Sequence, residues 1–92
     1  MIGNEGENTL NRWECVWKVD AHNSGVLSMS LHENFLISTA TKSIRIWDLE
    51  SGKMMAELQA PSAVRYVMID PERRLFLTAC DKTVTIWDLI SL

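Results

Sequence analysis

Apolar residues along this chain recur at a spacing of two, in short runs bounded by Gly, Asn, Ser, Lys or Asp. No window sustains a 3.6-residue period over a helical length, so strands are expected throughout. The run Trp13-Glu14-Cys15-Val16-Trp17-Lys18-Val19 alternates, with Trp13, Cys15, Trp17 and Val19 on one side, which predicts a half-exposed edge strand. Further strands are expected over residues 26–31, 35–39, 43–49, 54–59, 64–69, 75–79 and 83–90. Phe35-Leu36-Ile37 and Leu75-Phe76-Leu77 are apolar without alternation. Such strands need burial on both faces, as in a sheet stacked between other sheets.

The strand pattern is duplicated. Residues 38–49, STATKSIRIWDL, recur as residues 78–89, TACDKTVTIWDL, so that Trp47-Asp48 and Trp87-Asp88 end two copies of one strand. Upstream, Val26-Leu27-Ser28-Met29-Ser30-Leu31 aligns with Val64-Arg65-Tyr66-Val67-Met68-Ile69, and the small change of offset falls in a loop before Leu75, where insertions are tolerated. A period of about 40 to 45 residues closing on Trp-Asp is the signature of a propeller blade.

At these residues the chain resembles the WD40 repeat family. His22, Val26, Ser38 and Trp47-Asp48 fit the first copy, and Val64, Val67, Ile69, Pro71, Thr78, Asp81, Thr83 and Trp87-Asp88 fit the second. The resemblance implies an all-β fold of two four-stranded antiparallel blades, strand order d-abcd-abc, forming a partial propeller. It also implies two repeats over about 12–49 and 50–92. In that family a loop His, a turn Asp, a strand Ser or Thr and the Trp indole satisfy one another's hydrogen bonds. A structural role of this kind is implied for His22, Ser38 and Trp47, and for Thr78, Asp81 and Trp87; Asp48 and Asp88, each ending a strand ahead of a turn, are read as structural acceptors of backbone N–H bonds. Thr41 stands where the first copy would have Asp, and Ala60 or Pro61 where the second would have His.

Residues 1–11, MIGNEGENTLN, carry too little apolar material to offset the entropy of ordering them and are expected as a loose tail. They hold no apolar core of a secretory signal, and no run is long enough to span a membrane, so an intracellular, cytoplasmic location is expected. Cys15 and Cys80 are expected as reduced thiols within strands, not as a bridge. With 12 acidic against 9 basic residues, the chain lacks the clustered cations that nucleic acid or an anionic membrane requires, so neither partner is expected. Arg73-Arg74, beside Glu72, is read as a solvated loop.

Cys15, His22, His32 and Cys80 show no zinc-knuckle spacing, and no metal or cofactor is expected. No nucleophile elbow or phosphate-cradling glycine pattern is present, and the chain is not expected to be an enzyme. Trp13 and Trp17 share one face of their strand, either packing on a neighbouring strand or marking an apolar interface.

The resulting expectation is a non-enzymatic interaction scaffold, binding protein or peptide partners through rim loops. By the resemblance, contacts fall near the starts of the innermost strands and in the turns before the Trp-Asp strands. Those positions are Asn23, Ser24, Leu27 and Ala40 in one copy, and Ala63, Arg65 and Cys80 in the other, with Arg65 foremost because Arg is enriched at binding hot spots. The alternative is a self-assembling module. Two blades with complementary open ends would then close a ring as a homo-oligomer or against further WD40 blades.

Overall fold

The computed structural model describes residues 13–89; the tail expected over residues 1–11 lies outside them. Six strands follow one another: β1 (Ser28–His32), β2 (Phe35–Thr39), β3 (Thr41–Asp48), β4 (Met54–Asp70), β5 (Leu75–Cys80) and β6 (Thr83–Asp88). Each pairs antiparallel with the next in chain order, so the first repeat is built from β1, β2, β3 and the first part of β4, the second from the rest. Among the described residues no helix is long and apolar enough to cross a membrane.

Turn chemistry sets the hairpins. Asp81 opens the β5–β6 turn at φ 56°, a left-handed conformation that Asp adopts more readily than most side chains. Gly52, at φ 75° in the β3–β4 turn, is required twice over: a Cβ there would also lie 2.9 Å from Cδ2 of Trp17.

The sequence predicts separate strands over 54–59 and 64–69, whereas β4 runs through both as one strand of 17 residues. Its first part pairs with β3, placing Leu58 opposite Ile44 and Ala56 opposite Ile46. Its second part pairs with β5, placing Val67 opposite Thr78 and Ile69 opposite Phe76. The changeover coincides with a register irregularity facing Thr41 and Ser43, where Pro61 sits and its missing N–H interrupts no regular ladder. Beyond it, the Val64 N–H donates to the Ala40 carbonyl at 3.1 Å, which fixes the second repeat against the first.

The predicted edge strand at residues 13–19 takes a different form: these residues carry no strand ladder. The segment lies over the face of the first repeat instead of along an edge, so side chains hold it in place of backbone pairing. The Trp17 indole donates to the Leu49 carbonyl at 2.7 Å, and the Arg45 guanidinium donates to the Ala21 carbonyl at 2.8 Å. Trp17, Val19 and Ala21 line an open cleft of about 250 Å³ with Met29, Leu36 and Trp47.

The core lies between the two repeats. Residues directly opposite in an antiparallel pair share a face, so the register turns Ile37, Ile44 and Ile46 together toward the second repeat. There they meet Val64, Phe76, Cys80 and Leu89, with Ala56, Leu58, Val67, Ile69 and Trp87 packed around them. Phe76 stacks on Trp87 with ring centroids 5.9 Å apart. Each such aliphatic or aromatic side chain stabilises the fold by about 1.5–3 kcal/mol through burial.

Candidate functional site

The first repeat assembles a buried polar chain from three parts of the sequence. Ser38 stands at mid-strand in β2 and Trp47 in the facing strand β3, and the indole Nε1–H donates to Ser38 Oγ at 2.8 Å. His22 arrives from the segment before β1, with Nε2 2.8 Å from Ser38 Oγ and Nδ1 2.7 Å from Ser43 Oγ. The neutral Nδ1–H tautomer satisfies every contact: Trp47 donates to Ser38, the Ser38 hydroxyl donates to Nε2, and Nδ1–H donates to Ser43. Burial, reinforced by the nearby Arg45 guanidinium, lowers the His22 pKa and so favours this neutral form. Ser43, two residues beyond the turn position that Thr41 occupies, thus takes the fourth place; spacing alone did not reveal it.

The second repeat keeps a shorter version. The Trp87 indole donates to Thr78 Oγ1 at 3.1 Å. Asp81, expected alongside them, is exposed in its turn at φ 56° and lines the rim clefts with Arg65. Asp48 closes the β3–β4 turn, accepting from Ser51 Oγ at 2.6 Å, from the Asn34 side-chain amide and from the Glu50 N–H at 3.4 Å. Chiefly through the Ser51 hydrogen bond, its carboxyl is held below the usual aspartate range. Asp88 is exposed at the end of β6, opposite Leu75.

The positions expected to bind partners separate into two groups. Asn23 and Ser24 are exposed at a bend, and Leu27 is 40% exposed with its N–H bonded to the Thr39 carbonyl. Ala40 and Cys80, by contrast, are enclosed at 0% and 3% exposure, so neither side chain offers a contact surface. Ala40 is shut in where its backbone bonds Ser43 and Val64, and the Cys80 thiol lies 2.9 Å from Ser62 Oγ. Cys15 is exposed, and both thiols are free.

Ala63 and Arg65 do come together, at the start of the second repeat's inner strand. With Ser62 and Asp81 they line a polar cleft of about 160 Å³, and Arg65 and Asp81 also share an adjoining cleft of about 240 Å³ with Tyr66 and Ala79. Two loci that are distant in sequence thereby place one cation and one carboxylate on a single rim. Neither forms an ion pair with another described residue. A planar guanidinium beside an acidic acceptor can take up a carboxylate, backbone carbonyls or an amine. Among the described residues no three His, Cys, Asp or Glu side chains gather as a metal site.

Six antiparallel strands in two packed units, each with a Trp near the end of its third strand, Trp47 buried and Trp87 packed on the shared core, define a partial β-propeller of the protein-interaction scaffold kind. The chain belongs to the WD40 repeat family (WD domain, G-beta repeat), which residues 13–48 and 52–88 match in turn. It is 30% identical over 73 residues to Kinesin-related protein 8 of Dictyostelium discoideum, an alignment covering 75% of this chain but only 4% of that protein. The fold is similar to the computationally designed Ika4 protein (TM-score 0.75, 18% identity), covering 85% of this chain and 49% of that one. It is also similar to the designed Ika8 protein (TM-score 0.61, 20% identity), covering 77% of this chain and 23% of the other.

Proposed function

We propose that this chain is a non-enzymatic scaffold that binds protein or peptide partners at the rim cleft lined by Ser62, Ala63, Arg65 and Asp81. The observation that carries the reading is the convergence there of an inner-strand start and a turn before a Trp-Asp strand, bringing an exposed guanidinium and an exposed carboxylate to one cleft. Membership of a family of interaction scaffolds supports it. The polar groups elsewhere support it too, since His22, Ser38 and Trp47 satisfy one another inside the fold and leave no poised nucleophile. Asn23, Ser24 and Leu27 form a second exposed rim on the first repeat.

Selection of binders from a random-peptide display library on the 92-residue chain tests the proposal. Peptides carrying acidic residues are expected to be enriched, and Arg65→Ala is expected to weaken them at least about tenfold, a loss typical of a hot-spot Arg. Enriched peptides that bind Arg65→Ala and Asp81→Ala variants as tightly as the parent would show that the rim cleft is not the site.

A further inference from the structure

The repeats enclose one face of each against the other, and each leaves apolar side chains exposed on its far side, which in the first repeat residues 17–21 cover only in part; these far sides are the counterparts of the two halves of the interface already present inside the chain. Within that interface the first repeat contributes Ile44 and Ile46, both enclosed. Their counterparts in the second repeat, Val84 and Ile86, are 65% and 62% exposed, and Tyr66 and Met68 stand beside them, opposite Ala79 and Leu77 on the same side of the sheet. The second repeat in turn contributes Val67 and Ile69, which pack on the core. Their counterparts in the first repeat, Met29 and Leu31, are 65% and 60% exposed. Each open face therefore lacks the mate that the other supplies.

The backbone is open in the matching place. In the first repeat, β3 is flanked by the first part of β4, whereas its counterpart β6 pairs, among the described residues, only with β5. The two family matches start at residues 13 and 52, upstream of the sheet units themselves, so residues 13–19 hold in the first match the place that the beginning of β4 holds in the second. That segment already lies on the Trp47 face, as Ala56, Leu58 and Trp87 pack on one core, and it carries no ladder of its own.

We propose that copies of this chain assemble head to tail, the Met29, Leu31 and Trp47 face of one copy covering the Tyr66, Met68, Val84 and Ile86 face of the next. Residues 13–19 of the first copy then extend the second copy's sheet along β6. The internal register places Trp17 opposite Ile86 and Val19 opposite Val84, as Ala56 faces Ile46 and Leu58 faces Ile44. The occupant of both open faces is a second copy, because the chain already contains this contact once and its two unmatched halves are complementary. The same fold also makes up 49% of Ika4 and 23% of Ika8, so in both designed chains it is continued by further polypeptide. Contacts between different faces propagate until the rotation closes, and propellers close at about four to eight blades, which corresponds to about two to four of these chains. This assembly goes beyond the rim-cleft reading and uses different residues.

Light scattering on the full chain is expected to give one species at about two to four times the protomer mass of 10.5 kDa, following from the usual blade numbers. A Val84→Glu, Ile86→Glu double variant and a Met29→Glu, Leu31→Glu double variant should each be monomeric. Mixed, they should form a two-chain complex, since each retains the face that the other has lost. All four side chains are mostly exposed in the single chain, and circular dichroism should report unchanged sheet content. Hydrogen exchange of the parent gives a readout free of substitutions: amides of β6 and of residues 13–19 should gain protection as concentration rises. A parent that stays monomeric, a double variant that keeps the parent mass, a mixture that stays monomeric, or concentration-independent exchange would each overturn the assembly.

Discussion

The first and second repeats share a strand plan but not an environment, and the same position in the plan is enclosed in one and open in the other. Ile46 is 1% exposed and its counterpart Ile86 is 62% exposed, although both precede the Trp of a Trp-Asp pair in an eight- or six-residue strand. The second repeat covers Ile46, and nothing among the described residues covers Ile86. Trp47 and Trp87 also differ: the first closes a polar chain with Ser38, His22 and Ser43, while the second bonds Thr78 and stacks on Phe76. A repeat sequence thus specifies which residues are fit for burial, and the neighbouring repeat decides which of them are buried.

The sharpest test of that difference pairs Ile46→Ala with Ile86→Ala in the Met29→Glu, Leu31→Glu background, where head-to-tail contact is blocked. Ile46→Ala should lower the unfolding free energy by about 2–5 kcal/mol, the range for truncating a core Ile, and Ile86→Ala by about 0.5 kcal/mol or less, as for an open surface. Urea midpoints for the two variants measure it, and equal shifts would break the comparison. In the assembling parent the two costs should converge, because the neighbouring copy then encloses Ile86 as the second repeat encloses Ile46.

The polar chain gives the next largest effect. His22→Ala leaves Ser38 and Ser43 without their shared partner, which should cost about 1–3 kcal/mol, the penalty for stranding a buried polar group. No equivalent loss is available in the second repeat, where Ala60 and Pro61 occupy the corresponding stretch. His22 also carries a pH dependence of definite sign. Its folded-state pKa is lowered by burial and by Arg45, so the unfolded chain binds the proton more readily. Stability is then fully present above the unfolded histidine value of about 6.5 and falls as pH drops through that value toward the lower folded one. Denaturation midpoints measured across that window should slope for the parent and lose this component of the slope in His22→Ala.

The strand plan was legible because it rests on local pattern: alternation, the two Trp-Asp endings and their spacing mark every ladder strand from β1 to β6. Ser38 and His22 were legible for the same reason, through their places in the repeat. What escaped the sequence depends on non-local geometry. The fusion of residues 54–70 into one strand follows from how β4 passes from β3 to β5. Residues 13–19 alternate as a strand should, yet pattern alone cannot reveal whether a pairing partner is present. Ala40 and Cys80 were placed on the rim by analogy, but their burial follows from the close approach of the two repeats at Val64. Asp81 lines a cleft with Arg65, a neighbour 16 residues away in sequence that local pattern does not reveal.

The smallest effect belongs to the first repeat alone, in the turn that follows Trp47-Asp48. Asp48 holds its turn through hydrogen bonds that only the ionised carboxylate can accept in full, from Ser51, the Glu50 N–H and Asn34. Its depressed pKa is therefore a property of the turn and not of charge neighbours, and the Ser51 hydroxyl is the leading cause. Ser51→Ala should raise the Asp48 pKa toward the ordinary aspartate value of about 3.9, with little change in overall stability because the site is open to water. A carboxyl-detected NMR titration resolves this directly. The sign follows from linkage: the stabilisation is present above the unfolded value and is lost as pH falls through the lower folded value, so Ser51→Ala should flatten the acid limb that Asp48 contributes. An Asp48 pKa that stays low in the variant would assign the shift to the Glu50 and Ser51 amides and the Asn34 side chain instead of to the Ser51 hydroxyl.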